Sequence, residues 1–435
     1  MRIGLVSYEY PPQKGLGGVG TYTQRLAGAL GRAGHEVVVL AGPSEGNEIE
    51  QQNVTVHRIA ARYDPPLTTR GARWLYWRVL VRLLERANPL VWHWLRWDLA
   101  SRGALTEIHS QTPLDVVEAP EHAANGLCVG MDGRWPMAVR IHGPWDLFFG
   151  INRSEGMALN KLLANLERRS AKCADVLTTP SRAMARFMQA RWHLPEQPTV
   201  IPNFMDVPDQ PPPLPTPDEA PRIVCAGRLE RFKGQDILVQ AFERIARKHP
   251  RAKLVLIGPD QWSRKQQFSA LVDQLVPDPE VRSRIELQGP QPLATTQEEL
   301  AKAAIAVVPS PGFESFSFST LEAMAAGRPT ICSRMGAMPE LLDYGRCGRI
   351  VPPADPVALS EELDFLLSDC SSCEKLGRLA HERAKAMYDT SAVLPLFVQS
   401  YERARDAARA RVRKLEGVEE RTGDFGAIMD LMAAH

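Results

Sequence analysis

Cysteine is sparse in this chain and odd in number, with seven residues in 435. They are scattered at Cys128, Cys173, Cys225, Cys332, Cys347, Cys370 and Cys373. The one close pair, Cys370 and Cys373, has neither a second pair nor histidines beside it. This excludes a disulfide framework and a structural zinc site, and it reads as reduced thiols. Long apolar runs are missing as well. None reaches the roughly 18 residues of a membrane-spanning helix, and no leader-like segment precedes the first strand-like run. Charge of one sign is not in excess, since 52 basic residues face 51 acidic ones, so no nucleic-acid partner is demanded. No short-period repeat marks a solenoid. The expectation is a cytoplasmic protein without a disulfide frame.

What is present is the balance of a globular protein, 44% hydrophobic and 24% charged. The length suggests two or three domains. Ile3–Ser7 is a β-branched apolar run followed by a Pro/Gly loop. Thr21–Ala33 has helical spacing of Tyr22, Leu26, Ala29 and Leu30, Gly34 ends it, and Glu36–Leu40 is a second buried-type strand. This βαβ unit implies a parallel sheet. Further strands are expected at 54–59, 115–118, 138–141, 176–179 and 199–201. Residues 207–221 are dense in proline and read as a stiff linker. After them the alternation restarts, with a strand at 223–226, a helix at 235–248 and strands at 253–257, 285–288, 305–308, 330–332 and 349–351. The domain reading is therefore 1–207, a linker at 208–221, a second α/β domain at 222–390, a helix at 391–416 and a loosely ordered tail at 417–435. Two α/β layers of this kind leave a cleft onto which strand carboxyl ends open.

Three groups of residues carry candidate chemistry. In Pro11–Thr21, PPQKGLGGVGT, Gly17 and Gly18 precede a helix start, where backbone amides and the helix dipole suit an anion. Gly15, Gly17 and Gly20 formally match the dinucleotide fingerprint, but seven residues separate the strand from the first of them. A plain loop with a helix start is the other reading. After the strand at 223–226 come Arg228 and Lys233, a planar fork and a point charge that suit a diphosphate. After the strand at 305–308 comes PSPGFESFSFSTLEAMAAG, with Glu314 in the loop and Glu322 in a helix that begins near Ser319. A carboxylate there accepts bonds from vicinal hydroxyls, while Ser317, Ser319 and Glu322 also fit ordinary capping. A third strand–loop–helix junction, SRMGAMPE, follows at 333–340.

The blocks GRLERFKG, PSPGFESFSFSTLEAMAAGRPTICS and GAMPELLDYGRCG resemble the second domain of the retaining glycosyltransferases of family 4. LVSYEYPPQKGLGGVGTYTQRLAGAL, RIHGPWD and VIPNFMD resemble the first domain, and the likeness runs over about residues 1–410. It implies the GT-B fold, two Rossmann-like α/β/α domains with parallel sheets facing across a deep cleft and a C-terminal helix crossing back. It further implies that Arg228 and Lys233 hold the donor diphosphate and Glu322 the ribose. Glu314 meets the transferred sugar, with the backbone of Phe316, Ser317 and Phe318 helping. Gly17 and Gly18 approach the diphosphate or the acceptor, and His142 binds a sugar hydroxyl near the reaction centre. A half-buried strand-end histidine is the plainer reading of His142. Ser317, Phe204 and Ala337 stand where the family often has glycine, which bears on sugar identity.

The reaction implied is transfer of a hexose from a nucleoside-diphosphate sugar to an acceptor hydroxyl of a glycan, a lipid-linked compound or a small molecule. UDP is the first expectation for the base, with GDP and ADP as alternatives. No cofactor is implied, and the absence of any Asp-x-Asp motif argues against a catalytic metal. Retention would follow front-face attack. The rivals are an epimerase or phosphorylase on the same fold, a non-catalytic sugar-nucleotide sensor, and a dinucleotide-dependent oxidoreductase. Residues 70–102 hold Trp74, Trp77, Trp92, Trp94 and Trp97 with seven arginines, and Asn88-Pro89 reads as a helix stop. They form part of a helical insertion at about 62–110, either packed on the first domain with snorkelling arginines or in peripheral contact with the inner face of a membrane.

Overall fold

The computed structural model describes all residues except 13–16, 45–50, 62–88, 149–156, 217–218, 264–265 and 423–435. Trp74, Trp77 and Gly15 lie outside the described residues. The chain divides into two compact units. The first comprises Met1–Pro180, Ala185–Ile201 and Leu394–His435, and the second Ser181–Met184 and Pro202–Val393.

The first unit is built on strands β1 (Arg2–Ser7), β2 (Glu36–Ala41), β3 (Val54–Arg58), β4 (Val116–Pro120), β5 (Met137–Arg140), β6 (Val176–Thr179) and β7 (Thr199–Val200). They form one parallel sheet in the order β3-β2-β1-β4-β5-β6-β7. β1, β2 and β4 are buried along nearly their whole length, as expected for strands covered on both faces. The first helix spans Gly18–Arg32 and turns Tyr22, Leu26, Ala29 and Leu30 inward. It starts three residues before the Thr21 expected from the apolar pattern, because Gly17 caps it and Gly20 packs in its first turn.

The helix that Asn88-Pro89 is expected to end lies outside the described residues, and Pro89 opens the next one, Pro89–Gln111. Its missing N–H and fixed φ cost nothing at a first helical position. Trp92 and Trp97 are buried on this helix, and the Trp97 indole donates to the Ile59 carbonyl (3.1 Å). Residues 89–102 are thus packed into the first unit. Among the described residues no helix is long and apolar enough to cross a membrane.

The second unit has strands β8 (Arg222–Ala226), β9 (Lys253–Ile257), β10 (Ile285–Gly289), β11 (Ile305–Val308), β12 (Thr330–Ser333) and β13 (Arg349–Val351). This sheet is also parallel, in the order β10-β9-β8-β11-β12-β13. The helix Gln235–Ala246 buries Ile237, Leu238, Val239, Phe242 and Ile245 against it. Each such large side chain contributes about 1.5–3 kcal/mol relative to exposure.

Two boundaries differ from the sequence reading. The proline-rich stretch 207–221 is part of the second unit instead of a linker outside it. Arg328, fully buried, donates to the carbonyls of Pro212 and Pro213, and Lys385 donates to that of Val207. A proline run cannot join a sheet through its own N–H groups, yet its carbonyls remain acceptors, and these cations use them. The last helix runs Thr390–Thr422, past the 416 expected as its end. From Leu394 onward it groups with the first unit, where Tyr401 bonds Glu118 and Arg405 pairs with Asp115.

Candidate functional site

In each sheet the chain reverses its direction of progress once. In the second unit β9 and β10 lie on one side of β8, and β11 to β13 lie on the other. The switch point falls between β8 and β11, the place where open α/β sheets bind ligands outside strand carboxyl ends. The two loops leaving these strands and the helix after the second carry the four charged residues singled out in the sequence. Arg228 and Lys233 follow β8, Glu314 follows β11, and Glu322 lies on the helix Phe318–Ala325 that comes next.

The loops are joined. Lys233 Nζ lies 2.7 Å from Glu314 Oε1, and Ser310 Oγ donates to the same oxygen at 2.8 Å. Ser319 Oγ donates to the Ala226 carbonyl at the end of β8 (2.9 Å). Gly234 allows the close approach, because it adopts φ +73° and a Cβ there would meet the Pro309 carbonyl at 2.4 Å. The buried Gln235 side chain donates to the Arg228 carbonyl (2.8 Å), which fixes the β8 loop from below. The Arg228 guanidinium is exposed and pairs with Glu230 (3.0 Å).

Ser317 caps the helix that follows. Its hydroxyl accepts from the Thr320 N–H (3.2 Å), while the buried Phe316 ring packs edge-on to Phe318 and Tyr388, each at 5.9 Å. The Ala337 N–H donates to the Glu314 carbonyl (2.8 Å), so the junction after β12 also bears on this loop. Arg228, Lys233, Glu314, Glu322 and Phe316–Phe318 therefore share the carboxyl end of one sheet.

In the first unit the switch lies between β1 and β4. The Gly17 N–H is taken up by the protein's own Glu9 carboxylate (3.1 Å), and Gly18, exposed, has nothing within 4 Å of an added Cβ. His142 follows β5. Its backbone N–H and that of Gly143 donate to the two oxygens of Glu121 at 2.8 and 2.6 Å, and its ring meets Tyr22 edge-on at 4.5 Å. Its Nε2 is buried and has no hydrogen-bond partner among the described residues. Burial, with Arg140 and His122 nearby, holds this imidazole well below its usual pKa, so it is neutral at pH 7. Burial also pushes the Glu121 carboxyl up to about 7, against its hydrogen bonds from Gly143 and His142.

Ser310, Gln235, Glu121 and Tyr22 were not singled out in the sequence. Their role is visible only through partners made close by the fold, although Ser310 does lie inside the PSPGFE block. Among the described residues no group of three or more His, Cys, Asp or Glu side chains is placed to hold a metal ion.

Comparison with known proteins agrees with this arrangement. Residues 220–369 match the family described as Glycosyl transferases group 1, and residues 16–208 match Glycosyltransferase Family 4. Glycogen synthase of Mycobacterium tuberculosis is 29% identical, over 98% of this chain and 100% of that protein. Sucrose-phosphate synthase from Thermosynechococcus elongatus superposes with a TM-score of 0.74 at 22% identity, covering 93% of this chain and 99% of that one. Anabaena HepE in complex with UDP-glucose superposes with a TM-score of 0.64 at 16% identity, covering 92% and 99%. The fold is GT-B and the protein is a glycosyltransferase. With a family 4 match in its first half and a group 1 match in its second, it is a glycosyltransferase of the family 4 type.

Proposed function

We propose that this glycosyltransferase moves a hexose from a nucleoside-diphosphate sugar to an acceptor hydroxyl with retention at the anomeric carbon. The observation that carries the reading is the Lys233–Glu314 pair at the β8/β11 switch point, with Arg228 on the β8 loop and Glu322 on the helix that follows the β11 loop. Arg228 and Lys233 take the diphosphate, whose charge grows as it leaves. An ammonium has three donors, so Lys233 can hold Glu314 and a phosphate oxygen together. Glu322 accepts the ribose hydroxyls and Glu314 those of the sugar. The backbone of Phe316–Phe318 contributes at the helix start, where its positive end favours the departing phosphates.

The acceptor attacks from the side the diphosphate leaves, and a phosphate oxygen takes its proton. No residue of the chain is assigned as a nucleophile, and no metal is assigned a role. In the first unit, neutral His142 offers a hydrogen bond to a sugar hydroxyl without adding charge. Gly17 and Gly18 serve the diphosphate or the acceptor. UDP is the base supported best, through the likeness to HepE, which was solved with UDP-glucose. A glycan acceptor is supported by the full-length likeness to glycogen synthase. The seven free thiols support a cytoplasmic setting.

A thermal-shift panel of UDP-, GDP- and ADP-glucose tests the donor site. A ligand at 100-fold over its Kd stabilises by about 2.7 kcal/mol. Glu322→Ala is expected to abolish the shift and Arg228→Ala to weaken it strongly. Unchanged shifts in both variants refute the placement of the nucleotide. NMR of the first-formed product reads the anomeric outcome, and an inverted linkage refutes retention.

A further inference from the structure

We infer that Ser310 is a positioning residue for the donor sugar, because it pins one oxygen of Glu314 and so leaves the other to read the sugar hydroxyls. This rests on the donor reading above and concerns how its acid is held. Both partners of the Glu314 carboxylate converge on Oε1, Lys233 Nζ at 2.7 Å and Ser310 Oγ at 2.8 Å. Neither bond uses Oε2. Ser310 is fully buried, and its hydroxyl makes this one side-chain bond.

An ionised carboxylate is acceptor-only, so Ser310 must donate. Two donors on one oxygen fix the plane of the carboxyl group and absorb the charge at that oxygen. The lone pairs on Oε2 are then held in a set direction and left to accept from hydroxyls on adjacent carbons. Lys233 has donors to spare for a diphosphate, whereas Ser310 serves Glu314 alone. Its effect is therefore confined to the sugar half of the donor.

Calorimetric titration of UDP-, GDP- and ADP-glucose, each beside its bare nucleoside diphosphate, separates these halves. The proteins compared are wild type, Ser310→Ala and Glu314→Gln. Glutamine keeps one oxygen for Lys233 and Ser310 and puts an N–H2 donor where Oε2 stood. The bare diphosphate is expected to bind all three proteins within about twofold. Loss of a hydrogen bond to a charged group should weaken the glucose-bearing form by roughly tenfold in Ser310→Ala, and by more in Glu314→Gln. Turnover should show the loss of Ser310 chiefly in the donor KM.

Equal weakening of the bare and sugar-bearing ligands would mean that Ser310 only supports the loop, and would overturn the inference. So would an unchanged ratio between them. If Ser310→Ala does not fold, Ser310→Cys, which keeps a side chain of similar size but a weaker donor, is titrated in its place and must show the same loss confined to the glucose-bearing form. If wild type binds none of the six ligands, the donor reading fails first and takes this inference with it.

Discussion

Gly336 lies backbone to backbone against Glu314. A methyl group on Gly336 would stand 2.0 Å from the Glu314 carbonyl oxygen and 2.7 Å from its amide nitrogen, and Gly336 adopts φ +56°. No rotamer change relieves overlap with main chain, so Gly336→Ala must shift the β12 loop or the Glu314 loop. The left-handed conformation alone costs a side-chain-bearing residue about 1–2 kcal/mol. Displacement of a catalytic group by about an ångström can cost a hundredfold in rate. Gly336→Ala is therefore expected to lower Tm by several degrees and kcat/KM by roughly a hundredfold. Wild-type rates with UDP-glucose together with a wild-type Tm would show that this contact does not govern the site.

Two buried carboxyls set a pH dependence of stability. Asp98 and Glu121 are both fully buried, and burial pushes each up to about 7. The Asp98 Oδ2 accepts from the Cys128 N–H (2.6 Å), and Oδ1 has no partner among the described residues. Unfolding returns both groups to the ordinary carboxyl range near 4. Between about pH 4 and 7 the folded chain binds more protons than the unfolded one, so stability falls as pH rises through this window. Each group accounts for at most about 3–4 kcal/mol of that fall. Urea unfolding at pH 5 and pH 8 is expected to show a more stable protein at pH 5. Asp98→Asn should remove about half of the difference. A variant with the full wild-type slope would show that Asp98 is not a source of it.

The parallel strands were legible because each is a short apolar run, and the period of 3.6 marked the helices between them. β9, β11 and β13 fall at the residues expected. The Glu314-to-Glu322 block was legible because a loop, a serine cap and a helix follow one another without a gap in sequence. The packing of the proline-rich stretch is not legible in the sequence, because it depends on Arg328, more than a hundred residues away, whose use of the Pro212 and Pro213 carbonyls has no local trace. Glu121 resembled any surface acid until β4 and β5 were paired, which put its carboxylate beneath the amides of His142 and Gly143. Ser310 is illegible for the same reason, since Lys233, which meets it at one oxygen, comes from another strand–helix junction.

Glu118 ties the last helix to the first. Its Oε1 accepts from Tyr22 (2.6 Å) and its Oε2 from Tyr401 (2.9 Å), 283 positions away in the chain. The Arg140 guanidinium lies over the Tyr22 ring at 4.6 Å and the Phe397 ring at 5.0 Å. Burial raises the Glu118 carboxyl, while Arg140 and the two phenols pull it back. Each phenol is thus worth most when the carboxyl is ionised. Tyr22→Phe and Tyr401→Phe keep the rings and remove one donor each, at a cost of about 1–3 kcal/mol apiece. Once one donor is gone the carboxyl protonates more readily, and the second hydroxyl then has less charge to stabilise. The double variant is therefore expected to lose less than the sum of the singles, with a coupling of about 0.5–3 kcal/mol. Tyr22→Phe leaves in place the ring that meets His142 edge-on. Transfer rates at a temperature where all variants are folded should therefore change little. Urea unfolding of the four proteins measures the coupling, and strictly additive losses would mean that the two tyrosines do not act through one carboxylate.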